Sequence, residues 1–120
     1  MTSILAVDDS PSMRQMVSYA LENAGYEVVI ANDGERALDI AEDTRVNLVI
    51  TDVNMPNMDG ITLVRKLRKL QDYKYLPILI LTTESSKEKK MQGKEAGATG
   101  WIVKPFDPEQ LLNTLQRVLD

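Results

Sequence analysis

Five short apolar runs of β-forming residues recur along this chain, at residues 4–7, 27–31, 47–51, 78–81 and 101–103, and they limit its fold more than any other feature. Their starts lie 23, 20, 31 and 23 residues apart. A hairpin needs only a few connecting residues, whereas gaps of this size each hold one crossover helix, so the spacing predicts parallel strands in βαβ units. Runs one, three and four are continuously apolar, as expected for strands covered on both faces.

The gaps carry helical signals. Met13, Met16, Val17, Ala20, Leu21 and Ala24 form a stripe at helical spacing, started by Ser10-Pro11 and stopped by Gly25. A last helix is predicted from Asp107 as N-cap, Pro108 at the first position and Gln110 closing a capping box, with Leu111, Leu112, Leu115, Val118 and Leu119 inward. Shorter amphipathic helices are expected at residues 34–43 and 61–71. The fourth helix, residues 87–96, has little apolar surface besides Met91 and Ala96 among Lys87, Lys89, Lys90 and Lys94, so it is expected to be among the least stable elements. There is no internal repeat, linker or low-complexity tract.

Five βα units predict a doubly wound (βα)5 α/β sandwich with a five-stranded parallel sheet, as one domain over residues 1–120. In the flavodoxin-like order 2-1-3-4-5, strands one and three meet at the topological switch point, and ligands bind beyond the carboxyl ends.

Composition narrows the chemistry. A chain of 120 residues can bury roughly two-thirds of its unfolded surface in one core. A net charge of -4 argues against nucleic acid or an anionic membrane as the main partner, and no run is long enough for a signal peptide or membrane span. There is no Cys, so disulfides and thiolate sites are excluded, and no His, so imidazole acid-base pairs, histidine nucleophiles and imidazole metal sites are excluded too. Carboxylates, hydroxyls and lysines must supply the chemistry, with any metal held through oxygen.

The strand ends hold such groups: Asp8 and Asp9 after run one, Asp52 after run three, Thr82 and Thr83 after run four, Lys104 after run five. Neighbouring strands are about 4.8 Å apart, so three carboxylates would share one crevice. Two carboxylates about 4 Å apart repel by about 4 kcal/mol at an effective dielectric near 20, enough to raise one pKa by roughly three units. A divalent cation removes the conflict, and a partly open site of hard oxygen ligands suits Mg²⁺, with Mn²⁺ or Ca²⁺ as substitutes. Asp52 would then be an ionised nucleophile, with Lys104 and Thr82 contacting an incoming phosphoryl group, and the inferred chemistry is formation of an aspartyl phosphate. Taken singly, each residue has an ordinary structural reading. Asp8 and Asp9 can cap a helix, Asp59 before Gly60 fits a turn or cap, Thr82 and Thr83 fit strand ends, Lys104 fits a solvated surface, and Met13, Met16 and Met91 fit core filler. Their joint placement at four strand ends favours a site.

The segments "VDDS", "DVNMPNMDG", "LTTE" and "GWIVKPF" resemble, in order and spacing, the receiver domains of two-component response regulators, and most of all the single-domain, CheY-type chemotaxis regulators. The likeness covers the whole chain. CheY is itself a standard instance of the 2-1-3-4-5 order, so the resemblance implies the topology as well. It implies Asp52 as phosphoacceptor, Asp9 holding Mg²⁺ directly and Asp8 through water, and Asn54 contributing its backbone carbonyl to the metal. Lys104 would contact the phosphoryl group and precede a cis peptide bond to Pro105. Thr82 is the implied switch hydroxyl and Trp101 the switch aromatic, with Asn54 and Glu84 at positions that tune dephosphorylation. On this reading Thr82 moves toward the phosphoryl group, Trp101 fills the vacated space, and the face formed by helix 4, strand 5 and helix 5 changes its affinity for a partner. The family usually has Tyr or Phe where this chain has Trp, whose N–H seeks a partner.

The implied protein is a cytoplasmic, monomeric signalling module without an output domain, and not a metabolic enzyme. Its implied partners are a separate histidine kinase, of the chemotaxis type, a downstream protein such as the flagellar motor switch, and a phosphatase. Acting as a phosphate sink or serving another pathway are variants of the same reading. A haloacid-dehalogenase-type phosphohydrolase is the competing class, but it generally has an acid two residues after its nucleophile, where this chain has Asn54. Flavodoxin-type cofactor binding would need a hydroxyl- and glycine-rich loop in place of "DDSPS".

Overall fold

The computed structural model describes residues 2–119. Its strands are β1 (Ser3–Val7), β2 (Glu27–Ala31), β3 (Leu48–Thr51), β4 (Ile78–Thr82) and β5 (Gly100–Val103), and its α-helices are α1 (Pro11–Asn23), α2 (Gly34–Asp43), α3 (Gly60–Leu67), α4 (Lys87–Ala96) and α5 (Pro108–Leu119). All pairings are parallel, and the sheet order is β2-β1-β3-β4-β5, as expected. No α-helix among the described residues is long and apolar enough to cross a membrane.

Alternation along the central strands builds two cores. Leu5 and Val7 face a layer made with Ala37 and Ala41 of α2, Leu63 and Leu67 of α3 and Ala96 of α4. Ile4 and Ala6 point the other way, toward Val17 and Leu21 of α1 and Leu111 and Leu115 of α5. The described residues of β3 and β4 are buried throughout, which explains their unbroken apolar sequence.

Side-chain caps set the helix starts. Ser10, Asp33, Asp59 and Ser86 accept from the amides of Met13, Arg36, Thr62 and Lys89 at 3.3, 2.8, 2.8 and 3.2 Å. Each such cap contributes about 1 kcal/mol. Asp59 is thus a helix cap, as its ordinary reading had it. Gly97, at φ 111°, ends α4 in the left-handed region.

Four details differ from expectation. Asn47 precedes β3, and its side chain accepts from the Ser3 amide at 2.8 Å. The helix expected over 61–71 ends at Leu67 because Leu70 is extended, at φ -80° and ψ 136°, and the chain resumes as a 3-10 turn (Gln71–Tyr73) that buries Tyr73. Met16 and Met91 are not core filler, being 56% and 59% exposed, and Ala24 is exposed as well: the stripe on α1 is wider than the face that packs, and α4 buries only Gly93 and Ala96. Gln110 makes no capping-box bond among the described residues. It is exposed beside β5, and Asp107 Oδ1 instead accepts from the Glu109 amide at 3.1 Å.

Candidate functional site

Sheet register brings the polar residues together. Val7 pairs with Thr51, so Asp8 and Asp52 both follow directly on paired residues, while Thr82 pairs with Val103, placing Lys104 one step beyond. Asp52 is 9% exposed and Asp8 6%, whereas Asp9 is exposed, and one carboxylate oxygen from each lies within 4.8 Å of the others.

The polar atoms of Asp8 are fully engaged. Its amide donates to the Ala31 carbonyl (3.2 Å), its carbonyl accepts from Arg14 Nη1 (2.7 Å), Oδ1 accepts from the Ser10 amide (2.9 Å), and Oδ2 accepts from Lys104 Nζ (2.7 Å). Asp52 Oδ1 accepts from the Val53 amide at 2.6 Å and Oδ2 from Lys104 Nζ at 3.1 Å. Lys104 therefore bridges the two acids, with its side chain only 7% exposed. Burial alone would depress its ammonium, but the hydrogen bonds and charges of Asp8 and Asp52 outweigh that and hold its pKa above the ordinary lysine value. The Lys104-Pro105 peptide is cis.

Thr82 is fully buried, and its Oγ1 accepts from the Glu84 amide at 3.2 Å. The Glu84 carbonyl accepts from Trp101 Nε1 at 3.0 Å, which supplies the partner that an indole N–H requires. Asn54 and Thr83 are exposed, on the loops that follow β3 and β4.

Several site-building residues carry no motif-level signal in the sequence. Arg14 reaches back six residues to brace the β1–α1 turn. The Thr51 hydroxyl donates to the Asp52 carbonyl at 2.9 Å, and Gly60 lies so close to that carbonyl that a Cβ there would collide with it. The "DG" pair thus does more than turn the chain. Asn57, at φ 69°, donates to Asp33 Oδ2 at 3.1 Å and ties the β3–α3 loop to the start of α2.

Residues 4–116 match the family described as the response regulator receiver domain. The chain belongs to that family. Among solved structures, this receiver domain is similar to the chemotaxis protein CheY4 of Vibrio cholerae, with 58% identity, a TM-score of 0.94 and 98% of each chain covered. It is 42% identical to the chemotaxis protein CheY1 of Helicobacter pylori over 97% of this chain and 95% of that protein. The receiver domain of the sensor histidine kinase PA1611 from Pseudomonas aeruginosa, with a magnesium ion coordinated in its active site cleft, is 29% identical, with a TM-score of 0.92 and 98% of this chain and 97% of that one covered. The chain spans about half the length of other curated relatives, the PhoB and PhoP transcriptional regulatory proteins.

The donor set of this receiver domain fits a hard divalent cation. It consists of carboxylate oxygens without nitrogen or sulfur, in a cluster that opens to solvent at Asp9. Both oxygens of Asp8 already accept hydrogen bonds, while Asp9 accepts none among the described residues, so Asp9 has the freer carboxylate for direct ligation.

Proposed function

We propose that this receiver domain is a phosphorylation-switched signalling protein that accepts a phosphoryl group on Asp52. The observation that carries this reading is the convergence of Asp52 with Asp8 and Asp9, within 4.8 Å, beside a lysine 3.1 Å from Asp52 Oδ2. A carboxylate oxygen of Asp52 attacks the phosphorus of a phosphohistidine, the P–N bond breaks, and an acyl phosphate forms. The 120 residues contain no His, so the phosphohistidine that donates the group lies outside them, on a histidine kinase. Asp8, Asp9, Asp52 and the Asn54 backbone carbonyl would hold Mg²⁺, which when bound supplies charge neutralisation for the transferring phosphoryl group. Lys104 is close enough to Asp52 to exchange part of its ion pairing for a phosphoryl oxygen. Thr82, at the neighbouring strand end, offers a hydroxyl to another, and any movement of Thr82 pulls on Glu84 and hence on Trp101.

The output is a changed α4–β5–α5 face that alters partner binding. A chemotaxis role is supported by likeness to chemotaxis proteins over nearly the full length of both chains, with a flagellar motor switch or a phosphate-sink role as its forms. Asn54 in place of an acid argues against turnover of a metabolite. The test is intact mass and Trp101 fluorescence after addition of acetyl phosphate and Mg²⁺ to wild type and Asp52→Asn. A mass gain of one phosphoryl group only in the wild type is expected. An equal gain in both proteins, or none in the wild type, overturns the reading. A pull-down with phosphorylated protein then identifies the partner.

A further inference from the structure

Arg68, just after α3, is a half-buried cation with no carboxylate partner among the described residues. Both ion pairs among the described residues belong to Lys104. Backbone carbonyls from two other segments surround the guanidinium instead. Nη1 donates to the carbonyls of Tyr73 and Leu76 at 2.8 and 2.6 Å, with a longer 3.3 Å bond to Lys74. Nε and Nη2 both donate to the Gly97 carbonyl, at 3.1 and 2.7 Å, and Nη2 lies 3.5 Å from Thr99 Oγ1. Burial pushes its pKa below the ordinary arginine value.

Gly97 is the residue on which α4 ends. Its bare Cα sits against the side chain, since a Cβ there would come within 3.1 Å of Arg68 Cγ and Nε. The carboxyl end of a helix is also its negative pole, so a cation there is doubly suited.

The rest of α4 is held unevenly. Its only buried residues, Gly93 and Ala96, lie in its second half, where Gly93 rests against the Trp101 ring. In the first half Lys87, Glu88, Lys90 and Met91 are exposed, and the helix start is tied through the 83–86 loop to Thr82 and Trp101.

From this asymmetry we infer that Arg68 is a positioning residue that pins the carboxyl end of α4, so that the switch swings the helix about the Arg68–Gly97 clamp and moves mainly its amino end. The inference about motion rests on the proposed phosphorylation of Asp52, whereas the clamp itself does not. A pinned end converts a small displacement at Thr82 into a change of tilt on the α4–β5–α5 face and keeps the β5 edge in register. An unpinned helix would answer by loosening along its whole length.

Amide hydrogen exchange read by mass spectrometry tests both parts, on wild type, Arg68→Met and Arg68→Lys, each with and without acetyl phosphate and Mg²⁺. Without phosphodonor, Arg68→Met is expected to raise exchange over residues 94–99 by about tenfold or more, while α1 and α2 keep their protection. Arg68→Lys, which keeps the charge but reaches fewer carbonyls, falls between, and it decides the matter if Arg68→Met does not fold. With phosphodonor, wild-type exchange changes over 83–91 and stays the same over 94–99, and in the variants the change spreads to 94–99. Unchanged exchange over 94–99 in the folded variants overturns the clamp. Equal wild-type changes at both ends of α4 overturn the pivot. If the wild type gains no phosphoryl mass, the phosphoacceptor reading and the pivot built on it fail together, and the comparison without phosphodonor still decides the clamp.

Discussion

Trp101 Nε1 donates to the backbone carbonyl of Glu84 at 3.0 Å, and the amide of that same residue donates to Thr82 Oγ1 at 3.2 Å. One peptide segment is therefore held at one end by a strand-end hydroxyl and at the other by an indole. Neither bond involves the Glu84 side chain, whose Oε2 accepts instead from the Ser86 amide at 3.3 Å just before α4. A phenylalanine at position 101 would lack the donor, so the Trp gives this chain a means of holding the β4–α4 loop that an unsubstituted ring does not have.

Replacing Thr82 with Val keeps the buried shape and removes the acceptor. Losing a hydrogen bond of about 1 kcal/mol should speed exchange of the Glu84 amide about fivefold. The loosened loop should also shift Trp101 emission to longer wavelength and raise its quenching by acrylamide. Emission and quenching identical to wild type would show that the two residues are not coupled through Glu84.

Lys104 bridges two acids with one charge. Lys104→Met leaves Asp8 and Asp52 nearly buried and unpaired, so the metal-free protein should lose about 3 kcal/mol in urea unfolding. Removing the competing ammonium should also tighten Mg²⁺ binding, so the deficit relative to wild type should shrink in saturating Mg²⁺, by about 1.4 kcal/mol for each tenfold gain in affinity. A deficit that persists unchanged in Mg²⁺ would mean that the lysine's role is packing and not charge balance.

The strand ends were legible in the sequence because two local rules agree there: an unbroken apolar run marks a central strand, and a polar residue ending it must lie at the rim. That places Asp8, Asp52 and Thr82 without tertiary information, while Lys104 follows the run that became the edge strand β5. The early end of α3 was not legible, because it depends on Tyr73 finding the Thr44 carbonyl 2.7 Å away, across 29 residues. Arg68 reads locally as one more surface cation after an amphipathic helix, and its clamp exists only once Gly97 is folded against it. Met16 fits the helical stripe of α1 by spacing, but spacing cannot tell how much of a helix its neighbours cover.

Arg14 can act on the acidic cluster in two opposed ways. As a brace on the Asp8 carbonyl, at 2.7 Å, it keeps the β1–α1 turn in the shape that gathers the carboxylates. As a nearby positive charge it opposes a dication. Bracing is expected to dominate, so Arg14→Met should weaken Mg²⁺ binding by about tenfold in calorimetric titration, the scale seen when outer-shell partners are removed. Tighter binding in the variant would show that charge repulsion is the larger effect.

Tyr73 gives the fold an alkaline limit. Burial, reinforced by the charge of Asp72, raises its pKa above the ordinary tyrosine value. The unfolded chain therefore begins to release this proton near pH 10 while the folded chain retains it. The folded state binds more protons in that range, so stability is level below about pH 10 and falls as pH rises through the folded pKa. Tyr73→Phe should cost about 1 kcal/mol at neutral pH, because the Thr44 carbonyl loses its donor. Above about pH 10 its stability should decline less steeply than that of the wild type. Lys104, whose pKa is also raised, contributes to the alkaline loss in both proteins and cancels in the comparison. Urea unfolding at a series of pH values measures the difference directly, and parallel declines in the two proteins would remove Tyr73 as its source.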